Sequence, residues 1–257
     1  MIEYGHNGLL VFLSLLVAMV AGFTGLSLTK DLSSRSFSQR KIAVALASFA
    51  LGGGIWSMHF VAMLGLQMPI LFYYDAAITL VSALIAILLV AVALGLLHFT
   101  NRTPSTIIAA GGITGVGILA MHYVGMAGLQ LCRAVYTTPG LLIASVAAIF
   151  MCIMAFRVAY TKRNDKNIVI GTICFGGAVF SVHFFAMWGT NFVVVDQITE
   201  FGPTISNEIM AIGVILTSFV ILGAFLWVSA TFLTPSVAVE VDEDDAPITE
   251  RVALPCE

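Results

Sequence analysis

Seven apolar stretches, most of them about twenty residues or longer, follow one another along this chain with only short connections between them. They run over 8–29, 42–65, 75–98, 107–130, 140–160, 168–190 and 207–231. A helix needs about 20 apolar residues to cross about 30 Å of hydrocarbon. Within lipid, every backbone N–H and C=O must be satisfied inside the protein. The sequence therefore predicts an all-α, polytopic membrane protein with seven transmembrane helices. Composition agrees: 60% of residues are apolar, 10% are charged, and the mean hydropathy is +1.03, against roughly 45–50% and 25% in soluble domains. The first stretch is not a cleavable signal peptide, because "MIEYGHNG" has no basic residue and the apolar run that follows is too long.

The connections are too short to hold another domain. The expected division is a seven-helix membrane domain over 1–231 and a short acidic tail over 232–257. Its charge and its prolines, Pro235, Pro247 and Pro255, predict disorder. Lysine and arginine set the orientation. Lys30, Arg35, Arg40 and Lys41 lie in the first connection, Arg102 in the third, and Arg157, Lys162, Arg163 and Lys166 around the fifth. The opposite side has only Arg133. The N-terminus is thus expected outside and the C-terminus in the cytoplasm. The net charge of -3 owes much to the tail. No basic stripe points to nucleic acid. Cys132, Cys152, Cys174 and Cys256 are scattered without a CxxC, which suggests neither a disulfide framework nor a zinc site. Cys152 and Cys174 read as packing residues.

Three stretches repeat: "LGGGIWSMHFVAMLG", "ITGVGILAMHYVGMAG" and "CFGGAVFSVHFFAMWG". Their histidines are His59, His122 and His183, about 62 residues apart, a period of two helices with their loops. The chain is thus three parallel helical-hairpin repeats plus one helix. Glycines precede each histidine: Gly52, Gly53 and Gly54; Gly115 and Gly117; Gly176 and Gly177. Small residues let helices approach closely in lipid. Four residues after each histidine comes a methionine: Met63, Met126 and Met187. That step returns to the same helix face. Met58 and Met121 precede two of the histidines, about 100° around the helix.

All three histidines fall at similar depth near the expected outer face. An ionisable residue inside a membrane bundle marks a functional site by default. The alternative is core filling, since methionine is a soft packing residue, but that leaves the repeated histidines without a reason. Thioethers select Cu(I), and imidazole suits copper, zinc, iron and nickel. No carboxylate accompanies the layer, and zinc prefers thiolate or carboxylate beside histidine. Copper is the best match, with haem held by axial His/Met or His/His as the alternative. His6, on the same side, is a further candidate ligand. His98, at the far end of the third segment, reads as interfacial.

These residues resemble the MHYT domain family of bacterial integral-membrane sensor modules. The resemblance extends from about His6 to the seventh helix. It implies a copper site built from the motif histidines and methionines. It also implies sensing of a diatomic gas (oxygen, carbon monoxide or nitric oxide) and a place in the bacterial inner membrane. Many such proteins carry a cytoplasmic diguanylate cyclase or cyclic-di-GMP phosphodiesterase domain. No copy here is literally Met-His-Tyr-Thr: they read Met58-His59-Phe60-Val61, Met121-His122-Tyr123-Val124 and Val182-His183-Phe184-Phe185. The threonine is absent throughout, and the third copy lacks the first methionine. No output domain follows the seventh helix, so signalling is expected to pass to a separate cytoplasmic protein.

Other function classes fit less well. A copper transport or delivery protein should offer ligands at several depths, whereas these cluster in one layer. An enzyme should display a nucleophile and base or a carboxylate pair. Asp75, Asp196, Glu200 and Glu208 instead lie at helix ends or in outer loops. A retinal photoreceptor needs a lysine inside the bundle, and no segment interior has one.

Overall fold

The computed structural model describes residues 2–195 and 202–233. Asp196, Glu200, Cys256 and nearly all of the expected acidic tail lie outside the described residues.

Seven helices are long and apolar enough to cross a membrane. They are α1 (Gly8–Leu28), α2 (Phe37–Leu64), α3 (Ala76–Phe99), α4 (Pro104–Ala127), α5 (Thr138–Thr161), α6 (Asp165–Trp188) and α7 (Asn207–Leu233). The protein is an integral membrane protein. Side-chain oxygens cap the exposed N–H groups that begin most of the helices. Asn7 accepts from Leu9 and Leu10, Asp75 from Ile78, Thr103 from Thr106, Thr137 from Gly140 and Asn164 from Asn167. Ser36 and Gln39 form a reciprocal capping box at α2. The three histidine-bearing helices, α2, α4 and α6, stop at equivalent glycines, Gly65, Gly128 and Gly189.

Helices α1 to α6 form a closed ring in which each packs on the next and α6 returns to α1. Across that ring α2, α4 and α6 also touch one another. α7 packs outside it, against α1 and α2. The inner position of α2 is plain from burial: 78% of its spanning window is buried, against 17% for α7. The glycines before the histidines set much of this spacing. A Cβ on Gly52 would lie 2.5 Å from Ile87 Cα, one on Gly54 2.0 Å from Ala21 Cβ, and one on Gly115 2.7 Å from the Ala148 carbonyl oxygen. A Cβ on Gly176 would lie 2.7 Å from the Met19 sulfur. Gly177 does not share the expected packing role, for no atom lies within 4 Å of the place its Cβ would take.

The sequence pattern gave no hint of the short strands that tie the histidine end together. β1 (Gly5–His6) pairs with β2 (Leu66–Gln67). β3 (Tyr73–Asp75) lies between β4 (Leu129–Gln130) and β7 (Thr204–Ile205), and β5 (Cys132–Tyr136) pairs with β6 (Thr190–Val194). All pairings are antiparallel. Asp75 is fully buried, and its second carboxylate oxygen accepts from the Gly202 N–H at 2.7 Å, which fastens the segment that leads into β7.

Candidate metal centre

Near the strand-bearing end, the inner triangle of helices brings His59 of α2, His122 of α4 and His183 of α6 together. Each is 1% exposed. Their Nδ1 atoms converge: His59 to His183 at 3.0 Å and His59 to His122 at 3.2 Å. The rings stand edge to face, with centroids 4.9–5.3 Å apart. One ligand nitrogen from each histidine lies within 4.8 Å of the other two, and this is the group of potential ligands found among the described residues. Two nitrogens bound tetrahedrally at 2.0–2.1 Å would stand about 3.3 Å apart, so the donor set fits a first-row transition ion. The Nε2 atoms of all three rings are buried without a hydrogen-bond partner among the described residues.

Room for the His59 ring comes from α4. A Cβ on Gly125 would lie 3.0 Å from His59 Nε2 and 3.4 Å from Phe60 Cζ. Gly125 was not singled out from the sequence, although it occupies the position before Met126 in the quoted repeat. Met58, Met63, Met121, Met126 and Met187 are each at most 1% exposed. Tyr4 donates to the Met187 carbonyl oxygen at 2.6 Å and so fixes the N-terminal segment over the end of α6.

His6 stands apart from the three-nitrogen cluster. β1 holds it with its ring edge-on to Phe184 at 5.4 Å, beside His183. Burial lowers its pKa below that of a free histidine. Its Nε2 is buried without a partner. The structure places His98 elsewhere again, in the last turn of α3 at the end away from the triad, where it is 3% exposed and packs edge-on to Tyr160. Its surroundings include Tyr160 from α5 and Arg40 from α2.

A cavity of ≈ 460 Å3 opens beside the cluster, lined in part by Tyr123, Met126, Gln130, Cys132, Arg133 and Tyr136. Burial pushes the Cys132 thiol up to about 11, so at neutral pH it is protonated and is not a ready thiolate ligand. Tyr136 is pushed up to about 12 by burial and by Tyr123.

The family described as MHYT, a bacterial signalling protein N-terminal repeat, matches residues 52–111 and 115–172. The bifunctional diguanylate cyclase/cyclic di-GMP phosphodiesterase MucR of Pseudomonas aeruginosa is 31% identical over 235 residues, 89% of this chain and 34% of its own. The chain belongs to the MHYT family. The cyclic di-GMP phosphodiesterase NbdA of the same organism is 34% identical over 188 residues, 69% of this chain and 24% of its own. The signaling protein YkoW of Bacillus subtilis is 26% identical over 204 residues, 74% of this chain and 25% of its own. This MHYT chain thus spans about a third or less of the length of these curated relatives. No solved structure matches it. The two matched MHYT stretches hold His59 and His122. His183, in the copy that lacks the first methionine, lies beyond them, yet its ring completes the triad.

Proposed function

We propose that this chain is a sensory module of the bacterial inner membrane that holds copper and responds to a diatomic gas. The membership of a signalling family supports the sensory role. The reading of the site rests on one observation, the convergence of three buried Nδ1 atoms from three repeats. His59, His122 and His183 would hold the ion, with Met63, Met126 and Met187 as soft donors one turn further along each helix and Met58 and Met121 beside them. The donor chemistry favours copper. Nitrogens this close leave no gap for a porphyrin between two of the rings, which favours an ion over haem. Copper supplies, when bound, the affinity for oxygen, carbon monoxide or nitric oxide that no side chain has.

The chain's own contribution is placement. The strands at the histidine end and the capped helices fix three imidazoles on separate helices, so a change in how those rings are held moves α2, α4 and α6 relative to one another. The distribution of lysine and arginine argues that the histidine end faces outward and the opposite end the cytoplasm. The signal is then read by a cytoplasmic signalling protein. MucR and NbdA, as cyclic di-GMP enzymes, point to cyclic di-GMP turnover as the output. Clustering of the ligands in one layer favours sensing over transport.

The test is elemental analysis and copper titration of the purified protein, in wild type and in His59→Ala, His122→Ala and His183→Ala. Stoichiometric copper in wild type and its loss in the variants are expected. Equal stoichiometry in all four would refute the site, and a Soret band would replace copper with haem.

A further inference from the structure

The end of the bundle opposite the histidine triad carries a second threefold cluster that the sensing role does not use. Arg40, Arg102 and Arg163 recur at nearly the same period as the histidines, one per repeat. Arg40 lies in the first turn of α2, Arg102 just before α4 and Arg163 just before α6. The three guanidinium groups gather within electrostatic range of buried His98. Arg40 donates to the His98 carbonyl oxygen and sits 5.6 Å over the Phe99 ring. Arg163 lies 4.5 Å over the Tyr160 ring and Arg102 6.0 Å from the same ring. Arg163 also donates to the Leu26 carbonyl oxygen at 2.7 Å and to Thr29 Oγ1 at 3.0 Å.

Arg40 and Arg163 donate to carbonyls in the last turns of α3, α1 and α5, where helix ends favour cations. Those partial charges offset only part of three full positive charges gathered at one end of the bundle. No salt bridge joins any of them to a carboxylate among the described residues, where the ion pair present is Lys30 with Asp165. Asp31 lies within electrostatic range of Arg163. Unpaired nitrogens remain: His98 Nε2, Arg40 Nε and Arg163 Nε are buried without partners among the described residues. Guanidinium forks match phosphate oxygens in pairs, and helix N-termini bind the same anions.

We propose that Arg40, Arg102, Arg163 and His98 form a binding site for a phosphate-bearing anion at the basic end of the bundle. One source is the headgroup of an anionic phospholipid, since basic clusters between helices at the cytoplasmic surface bind such headgroups. The other is soluble phosphate. The three central helices begin at this site and end at the histidine triad. An anion here therefore fixes the same three elements from their opposite ends. The site does not depend on copper.

The test uses the full chain in neutral detergent at constant ionic strength. Thermal unfolding is followed while inorganic phosphate replaces chloride. A second arm measures retention of phosphatidylglycerol against phosphatidylcholine in nanodiscs. Wild type is expected to be stabilised by phosphate, or to retain phosphatidylglycerol selectively, and the arm that responds identifies the source. Arg102 is exposed, so Arg102→Gln should fold, and it is expected to weaken the responding probe by about tenfold or more. Arg163→Gln and His98→Gln should act in the same direction, while His59→Ala should leave this binding at the wild-type level. Failure of wild type to respond to either probe, or an unchanged response in Arg102→Gln, would overturn the proposal.

Discussion

The Nδ1 of His59 stands 3.0 Å from the Nδ1 of His183, across 124 residues of chain. The same atom lies 3.2 Å from His122 Nδ1, so His59 is common to both short contacts. A neutral imidazole nitrogen carries either a proton or a lone pair. Within the triad alone, the single Nδ1 proton or lone pair of His59 has to be shared between both contacts. A cation that accepts three lone pairs matches all of them.

His59 is therefore the most sensitive member. His59→Ala should lower copper affinity by more than about 100-fold, because it removes the nitrogen shared by both contacts. His122→Ala and His183→Ala each leave His59 in short contact with the remaining ring and should lose less. Titration against a competing chelator ranks the three. Equal losses would mean that the sharing seen in the geometry has no energetic weight.

Gly125 makes the space in which the His59 ring sits. In Gly125→Ala the new Cβ falls 3.0 Å from His59 Nε2, and the ring must move by a few tenths of an ångström. Copper affinity should fall about tenfold, with a smaller effect on the unfolding temperature, since the ring and not the backbone gives way. A variant with unchanged affinity would show that the triad tolerates this displacement.

The glycines along α2 and α6 should separate by environment. Gly52→Ala places a Cβ 2.5 Å from Ile87 Cα, against rigid backbone. It should destabilise the α2–α3 contact by about 1–3 kcal/mol through overpacking. Gly177→Ala meets nothing within 4 Å and should stabilise by up to about 1 kcal/mol through helix propensity. Unfolding of both variants in the same detergent provides the comparison.

Much of this architecture is legible in the residues, for physical reasons. Spanning helices announce themselves by apolar length, and their observed ends fall within a few residues of the sequence expectation. The triad is legible because histidine is rare in apolar spans and recurs here at one period. Other features are not. β1, β2, β4 and β7 are two residues long each, too short for alternation to register. The closed ring leaves little trace, because helices facing lipid are apolar on both faces and lose the contrast that reveals an inner side. Burial of His98 depends on long-range contacts such as those with Tyr160 and Arg40, which its neighbours in sequence do not reveal. The arginine triad has the same period as the histidines, but at loop positions a repeated arginine reads simply as an orientation signal.

Cys132 offers a pH-dependent check on the cavity beside the triad. Its thiol is pushed up to about 11 by burial, so at pH 8 it holds at least about a hundredfold less thiolate than an exposed cysteine. The fold favours the neutral thiol. That contribution is fully present below the ordinary thiol pKa and is lost as pH rises through about 11. Alkylation of Cys132, measured by difference from Cys132→Ser, should be slow at pH 8 and accelerate up to about pH 11. Rapid labelling at pH 8 would mean that the cavity is far wetter than its lining implies.

The methionines separate metal selectivity from packing. Leucine replaces methionine at nearly constant volume, usually for less than about 1.5 kcal/mol, so Met63→Leu, Met126→Leu and Met187→Leu should each fold. Thioether sulfur favours Cu(I) far more than Cu(II) or zinc. The triple variant should lose Cu(I) affinity by about tenfold or more while its imidazoles bind Cu(II) nearly as before. Paired titrations under reducing and oxidising conditions measure the ratio. If both affinities fall together, the methionines hold the helices in place and give the ion no sulfur. If neither falls, the three nitrogens act alone, and the methionines at the fourth position after each histidine serve only to fill the core.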